Sequence, residues 1–131
     1  STSHTDHDLT ILDEKSQTLW TGDLLFMGRI PVMDGSINGW INTMKKLQAM
    51  QLNFVVPGHG NAGSKEWQQG LKNQLRYFSN IRDEIRVIIN DMGTIEQASK
   101  QVGLDEENNW ELFQEYHRRN VTASFVQLEW E

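Results

Sequence analysis

The chain has no cysteine. That removes disulfides, thiolate zinc sites and a cysteine nucleophile from consideration, and it suits cytoplasm and periplasm alike. Proline occurs only at Pro31 and Pro57, and no repeat or low-complexity run interrupts an ordinary globular composition. Nowhere does an apolar run approach the roughly 18–20 residues of a membrane-crossing helix. No basic-then-apolar leader stands at the start, although the first residues are polar and carry no initiator Met, which fits a longer precursor. Cations are scarce: 12 Lys and Arg against 18 Asp and Glu give a net charge of −6, and basic residues do not run beyond a pair such as Lys45-Lys46. A surface that displaces counterions from phosphates needs clustered cations, so nucleic acid is not the expected partner.

With 131 residues, the chain is one domain or a piece of a larger one, long enough to remove about two-thirds of its unfolded surface from water. Residues 8–13, "DLTILD", and 18–22, "TLWTG", alternate polar and apolar side chains around a turn-like "DEKSQ", which reads as a hairpin. "LLFMGRIPVMDGS" follows as an irregular loop. Ser36 is placed to cap a helix whose Ile37, Trp40, Ile41, Met44 and Leu47 recur at helical spacing to about Gln51. "LNFVV", 52–56, then reads as a buried strand stopped by Pro57-Gly58, so strand, helix and strand form a crossover unit. From Ser64 a long amphipathic helix carries Leu71, Leu75, Phe78, Ile81, Ile85, Ile88 and Ile89 to about Met92, and Gly93 ends it. Thr94 and Gln97 have capping-box spacing for a short helix to Val102, closed by Gly103. Asn108 or Asn109 is expected to cap a last helix carrying Trp110, Phe113, His117 and Val121. The expected fold class is α/β, or mixed α+β: a βαβ segment over 1–63 and a helical tail over 64–131 packing on it.

Strand ends are where ligands gather in such folds, because loops converge there while the sheet holds them still. Three residues occupy such places. His4 sits in "HTDHD" before the first strand, Asp23 follows Thr21-Gly22 after the second, and His59 stands between two glycines after the third. Each has a plainer reading: a solvated loop histidine for His4, a turn former for Asp23. His59 is the more informative, since the flanking glycines remove Cβ crowding and the strand gives it a rigid base. His117, between Phe113 and Val121 on a helix face, reads as a packed structural histidine.

Taken in order, "HTDHD", "TGDLLF" and "PGHG" resemble the second half of a metallo-β-lactamase-fold hydrolase. That family has a His-Thr loop before a strand, a Gly-Asp after the next, and a late Gly-His-Gly. "HTDHDL", "GDLLFMGRIPVMDGS" and "RNVTASFVQLEWE" are similar to a narrower group, the quinoprotein-relay-system zinc metallohydrolases. The resemblance covers residues 4–63 by motif and the tail more loosely. It implies one half of a four-layer αββα sandwich, with His4, Asp23 and His59 as zinc ligands and Asp23 also as the catalytic carboxylate that spans two metals. His7 falls where the family places a glycine and is not an expected ligand. Two zinc ions lower the pKa of water, and the resulting hydroxide attacks a small-molecule substrate. Leu24, Leu25 and Phe26 follow Asp23 and the nearest cation is Arg29, so the implied bond is an ester or thioester rather than a β-lactam. The implied setting is the bacterial periplasm, with cytoplasm left open. Imidazole and carboxylate suit iron as well as zinc.

The family's upstream His-x-His-x-Asp-His motif occurs nowhere in the chain. The expectation is therefore a C-terminal fragment whose main partner is the missing N-terminal half, and which alone has little or no hydrolase activity. An apolar face formed by Leu9, Ile11, Leu19 and Phe54 is expected to lack its cover, and self-association would supply one. The reading from another class is a metal-free interaction domain whose helical tail binds a partner.

Overall fold

A computed structural model describes residues 2–61 and 66–131. The hairpin forms, shorter than its pattern suggests: β1 is Ile11–Asp13 and β2 is Thr18–Trp20, antiparallel, with Ile11 opposite Trp20. The turn between them closes with Gln17 at φ 53°, in the left-handed region. Helix α1, Ile37–Ala49, then crosses to β3, Phe54–Val56, which lies parallel to β2 with Leu19 opposite Val55. Strand order is β1-β2-β3, so β2, α1 and β3 make the expected crossover.

Three helices follow: α2, Trp67–Asn90; α3, Ile95–Gln101; and α4, Phe113–Leu128. The architecture is mixed α+β, a small sheet in front of a helix-rich second half. The boundary expected at 63–64, and the helix start at Ser64, lie outside the described residues. Ser36 caps α1 by accepting from the Gly39 N–H, and Thr94 caps α3 by accepting from the Gln97 N–H. The reciprocal half of the capping box, the Thr94 N–H donating to Gln97 Oε1, is not made among the described residues, and the Gln97 amide N–H donates to Gln101.

The apolar stripes expected on α1 and α2 meet in the core. Trp40 packs on Phe78 with ring centroids 4.6 Å apart, and Leu71, Ile81 and Ile85 continue the contact inward. Burial of such side chains, at about 1.5–3 kcal/mol each, is what holds helices on a sheet too small to stand alone.

The long irregular segment after β2 keeps its backbone satisfied through side-chain amides. Gln74 on α2 accepts from the Phe26 N–H and donates to the Leu24 carbonyl. Asn120 on α4 accepts from the Met33 N–H and donates to the Pro31 carbonyl and the Tyr77 hydroxyl. One α4 turn-pair further on, Gln127 accepts from the Ile37 N–H and donates to the Gly35 carbonyl. Buried backbone polar groups need partners, and here two helices supply what a neighbouring strand would.

Two expectations are corrected. Neither Asn108 nor Asn109 caps the last helix: residues 104–109 form a 3-10 turn, Leu112 takes φ 60°, and α4 starts at Phe113, so Trp110 lies before it. The cause is Glu106, which is buried and draws in the Asn109 amide and the Trp110 indole N–H as donors, together with Arg76. Asn109 is therefore held by its amide N–H at Glu106, and the chain runs on through extended Trp110 and left-handed Leu112 before α4 begins. Leu19 does not belong to the open apolar face either. Ile11 pairs with Trp20, so Leu19, one residue away, points to the opposite side and is 3% exposed. The open face is formed by Ile11, Trp20, Phe54 and Val56, with Leu9 exposed beside it.

Candidate functional site

Two backbones approach closely to build the site. Beyond the strands, the Thr21 N–H donates to the Val56 carbonyl, the Gly58 N–H to the Leu25 carbonyl and the Met27 N–H to the His59 carbonyl. The segments after β2 and β3 therefore continue side by side. A Cβ on Gly58 would overlap the Gly22 carbonyl. That glycine, rather than the histidine's immediate freedom, lets the His59 loop press against the Asp23 loop.

The contact is direct: His59 Nε2 lies 2.9 Å from Asp23 Oδ1. The His59 ring stacks on Phe26, centroids 4.3 Å apart and 14° between planes. Its Nδ1 lies 3.3 Å from an Arg29 terminal nitrogen. A guanidinium only donates, so Nδ1 accepts, Nε2 carries the proton, and Asp23 receives it.

His4 arrives from the opposite side. Its segment is anchored where the Ser36 N–H donates to the Ser3 carbonyl and the Asp34 N–H to the His4 carbonyl. Side chains at Gly35 or Gly39 would overlap this segment's backbone. Asp8 closes the loop on itself by accepting from the Thr5 N–H and hydroxyl. The His4 ring sits edge-on to Trp40 at 5.2 Å, with Nδ1 3.6 Å from Asp8 Oδ1 and 4.0 Å from Asp23 Oδ2. It is 9% exposed, lining one side of a small cavity with His7, Asp8 and Asp23.

His4, Asp23 and His59 are thus brought together, with the half-exposed Asp23 carboxylate between two imidazoles. His7 is exposed on the cavity rim. His117 lies elsewhere, buried, its Nε2 2.7 Å from the Val102 carbonyl and its Nδ1 2.8 Å from the Tyr77 hydroxyl. Sequence reasoning passed over Asp8 and Arg29 as parts of the site. The spacing of Thr5 and Asp8 offered a signal for the first, since an acidic residue three positions on is a local backbone acceptor. Arg29 had none.

By donor type the three residues suit zinc or iron. Their present spacing does not: among the described residues, no group of three or more His, Asp or Glu is arranged to hold a metal. Two ligands bound at about 2.0–2.2 Å in a tetrahedron stand roughly 3.4 Å apart, whereas Asp23 and His59 are joined at 2.9 Å by a proton-bearing contact. Comparison with protein-family models gave no match, and comparison with curated proteins gave none either.

Proposed function

We propose that this chain carries half of the metal site of a hydrolase with the metallo-β-lactamase fold. His4, Asp23 and His59 would be zinc ligands and Asp23 the carboxylate beside the reacting centre. The observation that carries the reading is the meeting of two imidazoles from separate loops on one carboxylate from a third. A metal-free interaction domain gives no reason for that convergence. When bound, zinc would act as a Lewis acid and lower the pKa of water. The chain's own residues hold Asp23 at the rim, shield one face of His59 with Phe26 and fix His4 against Trp40.

The remaining ligands would come from a second sheet laid over the open face of β1, β2 and β3, where Ile11 and Trp20 are 61% and 43% exposed. The proposed substrate is a small ester or thioester, the setting the periplasm, and the chain by itself has little or no hydrolytic activity. Cobalt(II), a paramagnetic stand-in for zinc, tests the ligand set directly. Added to the chain, it is expected to broaden the ring signals of His4 and His59 first, and to lose that selectivity in His59→Ala. Preferential broadening of the exposed His7, or no change on removing His59, would refute it.

A further inference from the structure

Arg29 sits behind His59, away from Asp23. Its backbone is clamped between the site and the tail, where the Glu111 N–H donates to the Gly28 carbonyl and the Ile30 N–H to the Glu111 carbonyl. The guanidinium lies 5.7 Å over the Tyr116 ring. No carboxylate pairs with it among the described residues, and its Nε is buried without a hydrogen-bond partner. A buried donor left unsatisfied costs free energy and asks for an explanation.

We infer that Arg29 is a positioning residue that, together with Asp23, fixes the tautomer of His59 and thereby competes with a metal for it. The inference rests on the metal-site reading above. Arg29 has hydrogens and no lone pair to offer Nδ1, so the imidazole proton is forced to Nε2, and there Asp23 accepts it. A metal ligand needs a bare nitrogen. Binding through Nε2 therefore requires the proton to move to Nδ1, where it would point at a cation. In metal-binding histidines the second nitrogen ordinarily donates to a carboxylate or carbonyl, and Arg29 occupies that place with the opposite polarity. The ion and the Arg29 contact exclude each other. Loading requires Arg29 to withdraw, and an anion that pairs with the guanidinium would favour that withdrawal.

The test uses the chain as it is, with its histidine ring nitrogens labelled with nitrogen-15 and held at a pH above the ordinary imidazole range. Metal-free wild type should show His59 fixed with Nε2 protonated and Nδ1 bare. Arg29→Met keeps the apolar stem and removes the donor. Asp23, an acceptor only, should still hold the proton on Nε2 in the metal-free variant, but zinc affinity, followed at His59, should rise about ten-fold, the worth of one hydrogen bond from a charged donor. Arg29→Lys, another pure donor, should restore the wild-type affinity. A wild-type ring protonated at Nδ1 overturns the inference whatever Arg29→Met does to folding. So does zinc affinity unchanged in Arg29→Met while zinc still binds His59, which leaves the metal site standing. Zinc that leaves His59 untouched in both proteins, with the tautomers as expected, refutes the metal site and the competition with it.

Discussion

Replacing Gly58 by alanine separates the geometry of the site from the stability of the fold. The added methyl cannot be absorbed by a flexible side chain, because what it meets is the backbone carbonyl of Gly22. One of the two loops must move. Overpacking of this kind costs about 1–3 kcal/mol, which for 131 residues lowers Tm by roughly 4–11 °C. The displacement falls on the Asp23–His59 contact, since Gly22 and Gly58 each adjoin one of its partners. Gly28→Ala is the control: its Cβ would meet nothing within 4 Å, but φ is +76°, so its cost of roughly 1–2 kcal/mol comes from backbone conformation alone. Thermal unfolding of both variants should show comparable losses. The His59 ring signals should move in both, through Arg29 in Gly28→Ala, but the contact of His59 with Asp23 should be lost only in Gly58→Ala. A Gly58→Ala protein within about 0.5 kcal/mol of wild type, with His59 unmoved, would refute the claim that this glycine sets the approach of the two loops.

Stability should fall on acidification in two steps. Burial holds the His117 imidazole below its ordinary 6.5, with the Val102 carbonyl and Glu106 opposing. The unfolded chain thus takes up a proton that the fold refuses, and stability declines as pH drops from about 6.5 towards the folded value. Burial would raise Glu106, but its bonds from Arg76, Asn109 and Trp110 prevail and hold it below the ordinary 4.5. Its contribution is present above that value and is lost as pH falls through the lower folded one. Urea midpoints against pH should show both steps, and His117→Gln should abolish the first; a single step near pH 4 in wild type would contradict this. The open sheet face predicts self-association, read by sedimentation as a mass that grows with concentration and is reduced in Trp20→Lys. A clean monomer at high concentration would count against an uncovered apolar face.

Much of the helical structure was legible because its signals are local. Ser36 and Thr94 cap within three residues of themselves, and a stripe at three- and four-residue steps needs no knowledge of its partner. The misreading at Asn108 and Asn109 has a matching cause. Their neighbour Glu106 finds Arg76 thirty residues earlier, and a long-range ion pair overrides a short-range capping preference. Likewise Gln74, Asn120 and Gln127 carry no spacing signature, since each answers backbone groups of a loop far off in the chain. Placing Leu19 with Ile11 ignored that residues on opposite sides of a register pair alternate faces, a rule available only once the pairing is known.

The candidate site was legible because Asp23 and His59 follow the ends of strands, not because of the pairing beyond them. Trp20 stands opposite Val56 in the parallel pair of β2 and β3. Asp23 lies three residues beyond Trp20, and His59 three residues beyond Val56. Beyond Trp20 and Val56 the register does not stay in step: the 3-10 turn Gly22–Leu24 takes up extra residues, so Phe26 pairs with His59 and Asp23 reaches the imidazole from the turn. "TLWTGD" and "FVVPGH" share one pattern: an apolar strand, a glycine, then the polar group. Arg29 was legible as the nearest cation after Asp23, but its contact with His59 carried no spacing signal. It reaches His59 only because the chain bends back at Gly28, with φ +76°, and is held by Glu111 from the tail. The front of the site follows the ends of β2 and β3, while the side of His59 away from Asp23 is set by the tail through Glu111.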